Sequence, residues 1–356
     1  MKEKYVLDVY CVSDFGGAER RLIRVYNEIA KKYDCDIVFR GSSKKKILEI
    51  LEKSDCNIDN INKVYYFRYS ILSLLYFCFV NKYNNIHVFD VCGYNKALLS
   101  IMKKKGIKTL LTIAFQNYAY GIIDDKTKKM LTEHLDLATK VDVLFPAGEK
   151  YLKEISKNSN VTVTPGTFTK TELFVPIKKE KLMIYVARRL EHDKNASMLI
   201  EACNICQDDI RKFGYKILIC GKDGEEEILR RKIYEFHLED ILEMPGYVVT
   251  STVFPKAEVY ISIDLIDNYP SQTIAEAVSS GCSLICTNVG YSKMCGSEEF
   301  SKYINVDATE LANAIREQMK KNVRQKNENI IKAREYALKY YSIAASAEYF
   351  SKLIRG

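Results

Sequence analysis

The sequence predicts an α/β protein made of two doubly wound parallel-sheet domains. Three observations carry the prediction. Short apolar runs alternate with helical patterns from one end to the other. Those runs are continuously apolar, as strands covered on both faces must be, rather than alternating apolar and polar. And 356 residues exceed what one ordinary core fills, so two domains of roughly 150–200 residues are expected. At 47% hydrophobic and 28% charged residues, the composition is that of a globular chain and excludes disorder.

In order, the first half has strand-like runs near 5–12, 35–39, 64–67, 85–90, 107–113, 141–145 and 161–164, with helices filling most of the gaps. The second half has them near 181–187, 215–220, 241–243, 258–263, 283–287 and 302–305. A proline and a charged cluster, PIKKEK (176–181), interrupt the pattern and place the domain break, giving domains 1–175 and 176–336. After about residue 307 only helical patterns follow. The segment 337–356 is amphipathic and aromatic-rich, and is expected to pack back on the first domain as a helix. No repeat of 20–50 residues is visible.

The longest apolar run, ILSLLYFCFV (71–80), is too short to span a bilayer, and the N-terminus passes straight into a strand pattern with no signal peptide evident. Eleven scattered cysteines in such a chain point to reduced thiols and a cytoplasmic location. The one CxxC, Cys203–Cys206, sits at i,i+3 on a predicted helix and lacks the second pair a zinc site needs. Asp34-Cys35-Asp36 has the look of a DxD metal string but leads into a strand, so it reads as the polar start of that strand. The net charge of +8 lies wholly in the first half: residues 1–175 hold 28 Lys and Arg against 20 Asp and Glu, residues 176–356 hold 26 of each. This is either a solvated basic surface or a surface for an anionic partner, a membrane face or a phosphate-bearing substrate. Nucleic acid fits poorly, because the basic runs Lys44–Lys46 and Lys103–Lys105 have no interleaved aromatics.

Doubly wound sheets bind ligands at the carboxyl ends of their strands, and the informative stretches lie there. In SDFGGAERRLIRVYNEIA (13–30), Gly16 and Gly17 separate a strand from a helix; they serve either a tight turn or close approach of a ligand. The pattern is not GxGxxG. In YVARRLEHDKNASMLIEA (185–202), Arg188, Arg189 and Lys194 follow a buried strand at once, as a diphosphate would require or as a solvated loop would allow. CGKDGEEEILRRK (220–232) places Gly221 and Gly224 after a strand, then acids that suit a helix dipole. EMPGYV (243–248), with Tyr247, is another strand-end turn, whose backbone could meet a planar base. In DNYPSQTIAEA (267–277), Pro270 marks the start of a helix. The amides of Ser271, Gln272 and Thr273 would face an anion, and Glu276, one turn on, could accept both hydroxyls of a ribose.

Taken in order, GGAER, VTPGTF (163–168), RLEHDK (189–194), CGKDG, PGYV and NYPSQTIAEAVSSGCSLICTNVG (268–290) make the chain resemble the retaining, group 1 glycosyltransferases of the GT-B architecture. The resemblance implies two Rossmann-like domains facing a cleft, the nucleotide-sugar held mainly by the second and the acceptor by the first. It implies that Arg189 and Lys194 hold the donor diphosphate, that Glu276 binds the ribose, and that Gly16 and Gly17 form the glycine loop beside the donor. Gly221, Tyr247, Asn268, Ser271, Gln272 and Thr273 join the expected donor set. No cofactor and no metal is implied. The implied function is sugar transfer from a nucleoside-diphosphate-sugar to a glycan or lipid-diphosphate-linked acceptor in surface-polysaccharide assembly, at the inner face of the membrane. Two departures stand out. The first glutamate of the family's E-x7-E motif falls on Asn268, next to Asp267. A histidine common at the end of a middle strand is replaced by Ala114, Phe115 and Gln116. His87, in NIHVFDV, reads as a packed residue. A nucleotide-sugar-binding protein that has lost turnover, or a nucleotide-sugar epimerase of similar shape, are the alternative readings.

Overall fold

The computed structural model describes residues 3–355 apart from Asp14, Gly16, Asn81 and Ser159. In chain order the elements are β1 (Lys4–Tyr10), α1 (Gly17–Ile29), β2 (Asp34–Arg40), α2 (Lys44–Lys53), β3 (Lys63–Phe67), α3 (Ser70–Phe79), β4 (Asn85–Phe89), α4 (Gly93–Lys104), β5 (Lys108–Ile113), α5 (Gln116–Tyr120), α6 (Asp125–Leu137), β6 (Lys140–Val143), α7 (Ala147–Ile155) and β7 (Val161–Val163). They continue as β8 (Glu180–Leu190), α8 (Ala196–Phe213), β9 (Lys216–Gly224), α9 (Glu226–Glu235), β10 (Leu242–Gly246), α10 (Thr250–Val253), β11 (Ala257–Ser262), α11 (Gln272–Ser279), β12 (Ser283–Thr287), β13 (Ser301–Ile304), α12 (Ala308–Lys320), α13 (Val323–Tyr340) and α14 (Ile343–Arg355). Local chemistry sets many of the ends. Ser43, Asp124 and Asp307 cap α2, α6 and α12 by accepting a backbone N–H three residues on, and Asn322 with Gln325 forms a capping box on α13.

The chain divides into two compact units, Met1–Pro165 with Ile343–Gly356, and Gly166–Ser342. Both expected boundaries move. Residues 166–175 belong with the second unit, because Phe174 is buried in its core and Arg334 donates to the Thr171 and Phe174 carbonyls at 2.9 and 3.2 Å. The second boundary falls at 342/343, since α13 runs unbroken through 336/337. The PIKKEK cluster is a charged stretch at the start of β8 within the second unit, not the break.

The first unit holds a seven-stranded parallel sheet in the order β3-β2-β1-β4-β5-β6-β7, and the second a six-stranded parallel sheet in the order β10-β9-β8-β11-β12-β13. In each, the strand order reverses beside the first strand, which opens a crevice at the carboxyl ends of β1/β4 and β8/β11. In the first unit α14 packs on α1; the Tyr349 hydroxyl donates to Asp142 Oδ1 at 2.7 Å, and the ring of Phe350 lies 5.6 Å from that of His87. His87 is buried between the Tyr26 hydroxyl (3.2 Å) and Thr112 Oγ1 (2.8 Å), and burial pushes its pKa down to about 3. Asp34 opens β2, and Asp36 is buried against Lys4 and Lys82 at 3.3 and 3.2 Å, so this pair of acids serves the strand. All eleven cysteines are free thiols. Among the described residues no helix is long and apolar enough to cross a membrane, and no three His, Cys, Asp or Glu side chains cluster as metal ligands.

Candidate active site

The crevice of the second unit holds a cavity of about 340 Å³ lined by the ends of β8 and β11 and by the start of α11. β8 brings the cations. Two residues of β8, Ala187 and Arg188, lie opposite one of β9, Gly221, between the pairings of Val186 and Arg189, a bulge that re-aims the end of the strand. Within it, Arg188 lines the cavity. Arg189 does not: its side chain is 68% exposed and 3.5 Å from Glu191 Oε1. The motif points to Arg189, but the bulge places its neighbour at the cavity. Pairing of β9 with β8 continues through the segment expected to be a turn, so Gly221 and Gly224 lie inside the strand. A Cβ on Gly221 would meet the Ala187 carbonyl oxygen at 2.2 Å, and one on Gly224 the Leu190 carbonyl oxygen at 2.4 Å. Both glycines serve close strand approach; neither lines the cavity.

After β8 a single 3-10 turn, His192–Lys194, ends on Asn195 at φ 60°. The Tyr185 hydroxyl donates to the Lys194 carbonyl (2.9 Å), which holds the turn over the sheet. Lys194 Nζ then reaches Asp264 Oδ1 at 2.9 Å. Burial works against the ammonium charge, but the Asp264 and Asp193 carboxylates together more than offset it and hold the Lys194 pKa above its ordinary value. Sequence reasoning does not single out Asp264. It follows β11, is buried, and is the hub of the site: Ser262 Oγ and Asn268 Nδ2 both donate to its Oδ2 at 3.2 Å. Asn268 therefore stands beside a carboxylate. A glutamate there would bring a second negative charge against Asp264, whereas the carboxamide donates to it. Asp267 is spent on the loop, its Oδ1 accepting from the Tyr269 and Tyr291 amides at 3.1 and 3.2 Å.

α11 supplies the third wall. Ser271, next after Pro270, is the N-cap: its Oγ accepts from the Ile274 amide at 3.4 Å and lies 3.1 Å from Thr273 Oγ1. The Ser271 amide is directed to the Cys295 sulfur. Of the three amides expected to be free, those of Gln272 and Thr273 remain without a protein partner among the described residues, in the first turn of a helix whose dipole favours an anion. Glu276 lies one turn on. It accepts from Gln272 Nε2 at 3.2 Å and bonds the Thr250 side chain, while Gln272 Oε1 accepts from Thr167 at 2.9 Å. Burial raises the Glu276 pKa above the ordinary 4.5, only partly opposed by those two bonds. The carboxylate that looked stranded on an apolar helix thus has two neutral donors, and it does not line the cavity itself.

The remaining expected donor residues lie elsewhere. Tyr247 is exposed beyond β10, its ring 5.7 Å from Lys222 Nζ and its hydroxyl 3.5 Å from Asp223 Oδ2. Gly16 lies outside the described residues. Gly17 opens α1 in the first unit with open space where a Cβ would stand. Phe115, exposed at the start of α5, occupies the strand end where a histidine was absent.

Residues 168–336 match the family model described as glycosyl transferases group 1. Among curated proteins, the chain is similar to the GtfA subunit of the UDP-N-acetylglucosamine–peptide N-acetylglucosaminyltransferase of Streptococcus pneumoniae serotype 4, at 26% identity over 113 residues. That stretch is 32% of this chain and 22% of the relative. The Streptococcus gordonii counterpart is 30% identical over 105 residues, 30% of this chain and 20% of the relative. Aligned stretches thus span about a fifth of these relatives' length. Among solved structures, a glycosyltransferase from Rickettsia africae superposes with a TM-score of 0.69 at 15% identity, over 100% of this chain and 99% of that one. Anabaena Alr3699/HepE, solved with UDP, superposes with a TM-score of 0.68 at 12% identity over 98% of each chain.

Proposed function

We propose, for a chain whose residues 168–336 form a group 1 glycosyl transferase domain, that the cavity between β8 and β11 takes the diphosphate of a nucleotide-sugar and that the sugar passes, with retention, to a hydroxyl of a glycan or lipid-diphosphate-linked acceptor. One observation carries this reading: two unpartnered helix amides and the cations Lys194 and Arg188 line one small cavity at the sheet's switch point. Such an arrangement suits a pyrophosphate. Fold relatives solved with UDP, and UDP-N-acetylglucosamine in the names of the curated relatives, make UDP the first nucleotide to test.

In this reaction the acceptor oxygen forms its bond to the sugar's anomeric carbon on the face from which the diphosphate departs. The bond from that carbon to the phosphate oxygen breaks, and a leaving phosphate oxygen takes the acceptor's proton. No protein base and no metal is called for by this scheme. The protein's task is to stabilise charge growing on the diphosphate, which fixed amides and cations do without reorganising. Glu276, held one turn below the amides, is assigned the ribose hydroxyls.

The acceptor side draws support from the basic first unit. There α3 exposes Ile71, Leu72, Leu75 and Phe79, the last 82% exposed, and carries no acid. Arg68 lies 5.7 Å from the Tyr69 ring at its start, and Lys105 Nζ donates to the Phe77 and Val80 carbonyls at its end. An apolar helix face with cationic ends suits an anionic bilayer surface, where a lipid-diphosphate acceptor would be presented. Surface-polysaccharide assembly at the inner membrane face is the setting this implies.

Calorimetric titration with UDP and UDP-sugars, followed by transfer assays on lipid-linked acceptors, tests the reading. No binding of any nucleoside diphosphate would overturn it. Cosedimentation with phosphatidylglycerol vesicles should fall with added salt and on Leu72→Ser/Leu75→Ser substitution. Asn268, bonded to Asp264 where the family motif has a carboxylate, favours one other reading, a binding protein without turnover. Tight UDP binding with neither hydrolysis nor transfer across a donor panel would select it.

A further inference from the structure

At the other end of the second sheet, where β8, β11 and β12 begin, lies a second cavity of about 480 Å³, walled on its far side by α12 and α13. It shares no lining residue with the candidate active site. Four lysines line it against one carboxylate, Glu258. Only Lys326 is neutralised, at 2.9 Å from Glu258 Oε2. Lys179 Nζ donates to the Ser280 and Phe254 carbonyls (2.6 and 3.4 Å), and Lys181 Nζ to the Phe213 carbonyl (2.9 Å). Those partners satisfy hydrogen bonds and leave the charges. Lys178 is exposed and has no partner among the described residues.

A second observation points the same way. Gln318, on α12, is only 6% exposed and lines the cavity, yet its carboxamide has no hydrogen-bond partner among the described residues. Its polar atoms are not among those sealed from solvent without a partner, so the carboxamide is open to the cavity and available to a ligand. The rest of the wall is Ser283 and Asn327 with an apolar part, Ile177, Val259, Val323 and Ile330, extended by the lysine stems. The volume falls in the range of small-molecule sites.

We propose that this cavity is a binding site for an organic anion, a phosphate carried on an apolar body, with Lys178 and Lys181 meeting the charge, Gln318 hydrogen-bonding the ligand and Val323 and Ile330 covering its apolar part. The ligand is either a free organic phosphate or the headgroup of a phospholipid. The site stands independently of the nucleotide reading.

The test is calorimetry of the full chain with hexyl phosphate. One site is expected, with inorganic phosphate and hexanol each binding at least about tenfold more weakly. Lys178→Glu should weaken hexyl phosphate about tenfold or more, and Gln318→Leu by several-fold, with UDP binding unchanged in both. Competition by phosphatidic-acid vesicles would assign the site to a lipid headgroup; indifference to them, with hexyl phosphate still bound, would assign it to a free organic phosphate. No heat up to millimolar hexyl phosphate, binding indifferent to Lys178→Glu, or displacement of hexyl phosphate by UDP would overturn the proposal.

Discussion

Both units wind their sheets the same way, and both therefore have a crevice beside the first strand, yet they use it oppositely. In the first unit the place beneath α4 is filled by the protein's own ions. Arg40 Nε donates to Asp8 Oδ2 at 2.9 Å, a terminal nitrogen of the same guanidinium donates to Asn95 Oδ1 at 3.1 Å, and the group lies 3.7 Å from the Tyr94 ring and 4.8 Å from that of Tyr10. Arg40 and Asp8 are only 4% and 2% exposed. In the second unit the equivalent place beneath α11 is a cavity with a cation at its wall and two spare amides. Lys194 is paired there too, with Asp264, but Arg188 has no ion partner among the described residues and the two amides are spare; topology supplies the crevice, and what the chain leaves unpaired in it decides whether it receives a ligand.

That contrast can be broken or sharpened by experiment. The largest effect is expected in the filled crevice. Arg40→Met should cost about 3–5 kcal/mol of first-unit stability in chemical denaturation, because it leaves Asp8 buried and uncompensated. Arg40→Met with Asp8→Leu should recover most of it. A single mutant as stable as the parent would show that the pair does not fill the crevice as described. Next comes the open one. Lys194→Ala should lower sugar transfer about 10²–10³-fold with unchanged circular dichroism; wild-type turnover would remove Lys194 from the site. A smaller effect separates two neighbours. Arg188→Ala should weaken UDP binding by roughly 1.5–3 kcal/mol, Arg189→Ala by no more than about 1 kcal/mol, given its exposed pairing with Glu191. The reverse order would restore the motif's assignment over the geometry.

Glu276 should show a comparably small effect, and a pH-dependent one. Burial raises its pKa above 4.5, so the carboxylate is protonated, and its acceptor capacity lost, at a higher pH than for a free glutamate. UDP affinity should then decline on acidification before pH 4.5 is reached, by roughly 0.5–1.5 kcal/mol in all. Glu276→Gln should start weaker and lose that slope; an identical profile in the mutant would remove the ribose role.

Most of the fold was legible because buried parallel strands such as LMIYVA in β8 and SLICT in β12 have no alternative reading in a chain this apolar. The start of α11 was legible for the same local reason: proline, serine and a helical apolar pattern adjoin. The hidden features depend on contacts between segments distant in sequence. The run of β9 through Gly224 requires the Ala187 and Leu190 carbonyls 30 to 40 residues earlier. The exchange of Arg189 for Arg188 follows from the same bulge. Nothing local marks Asp264; its place is set by Lys194, Ser262 and Asn268 meeting on it. The first domain boundary was drawn at a charged cluster, whereas the burial of Phe174 decides it.

The placement of α14 bears on how the chain is made. The first unit is closed by α14 against α1, but the 177 residues of the second unit lie between β7 and that helix. At the usual rate of synthesis, roughly 5–20 residues per second, the apolar face of α1 (Leu22, Ile23, Tyr26) waits on the order of 10–35 s for its cover. During translation that face stays uncovered while the whole second unit is made, so closure of the first unit is the last event of synthesis.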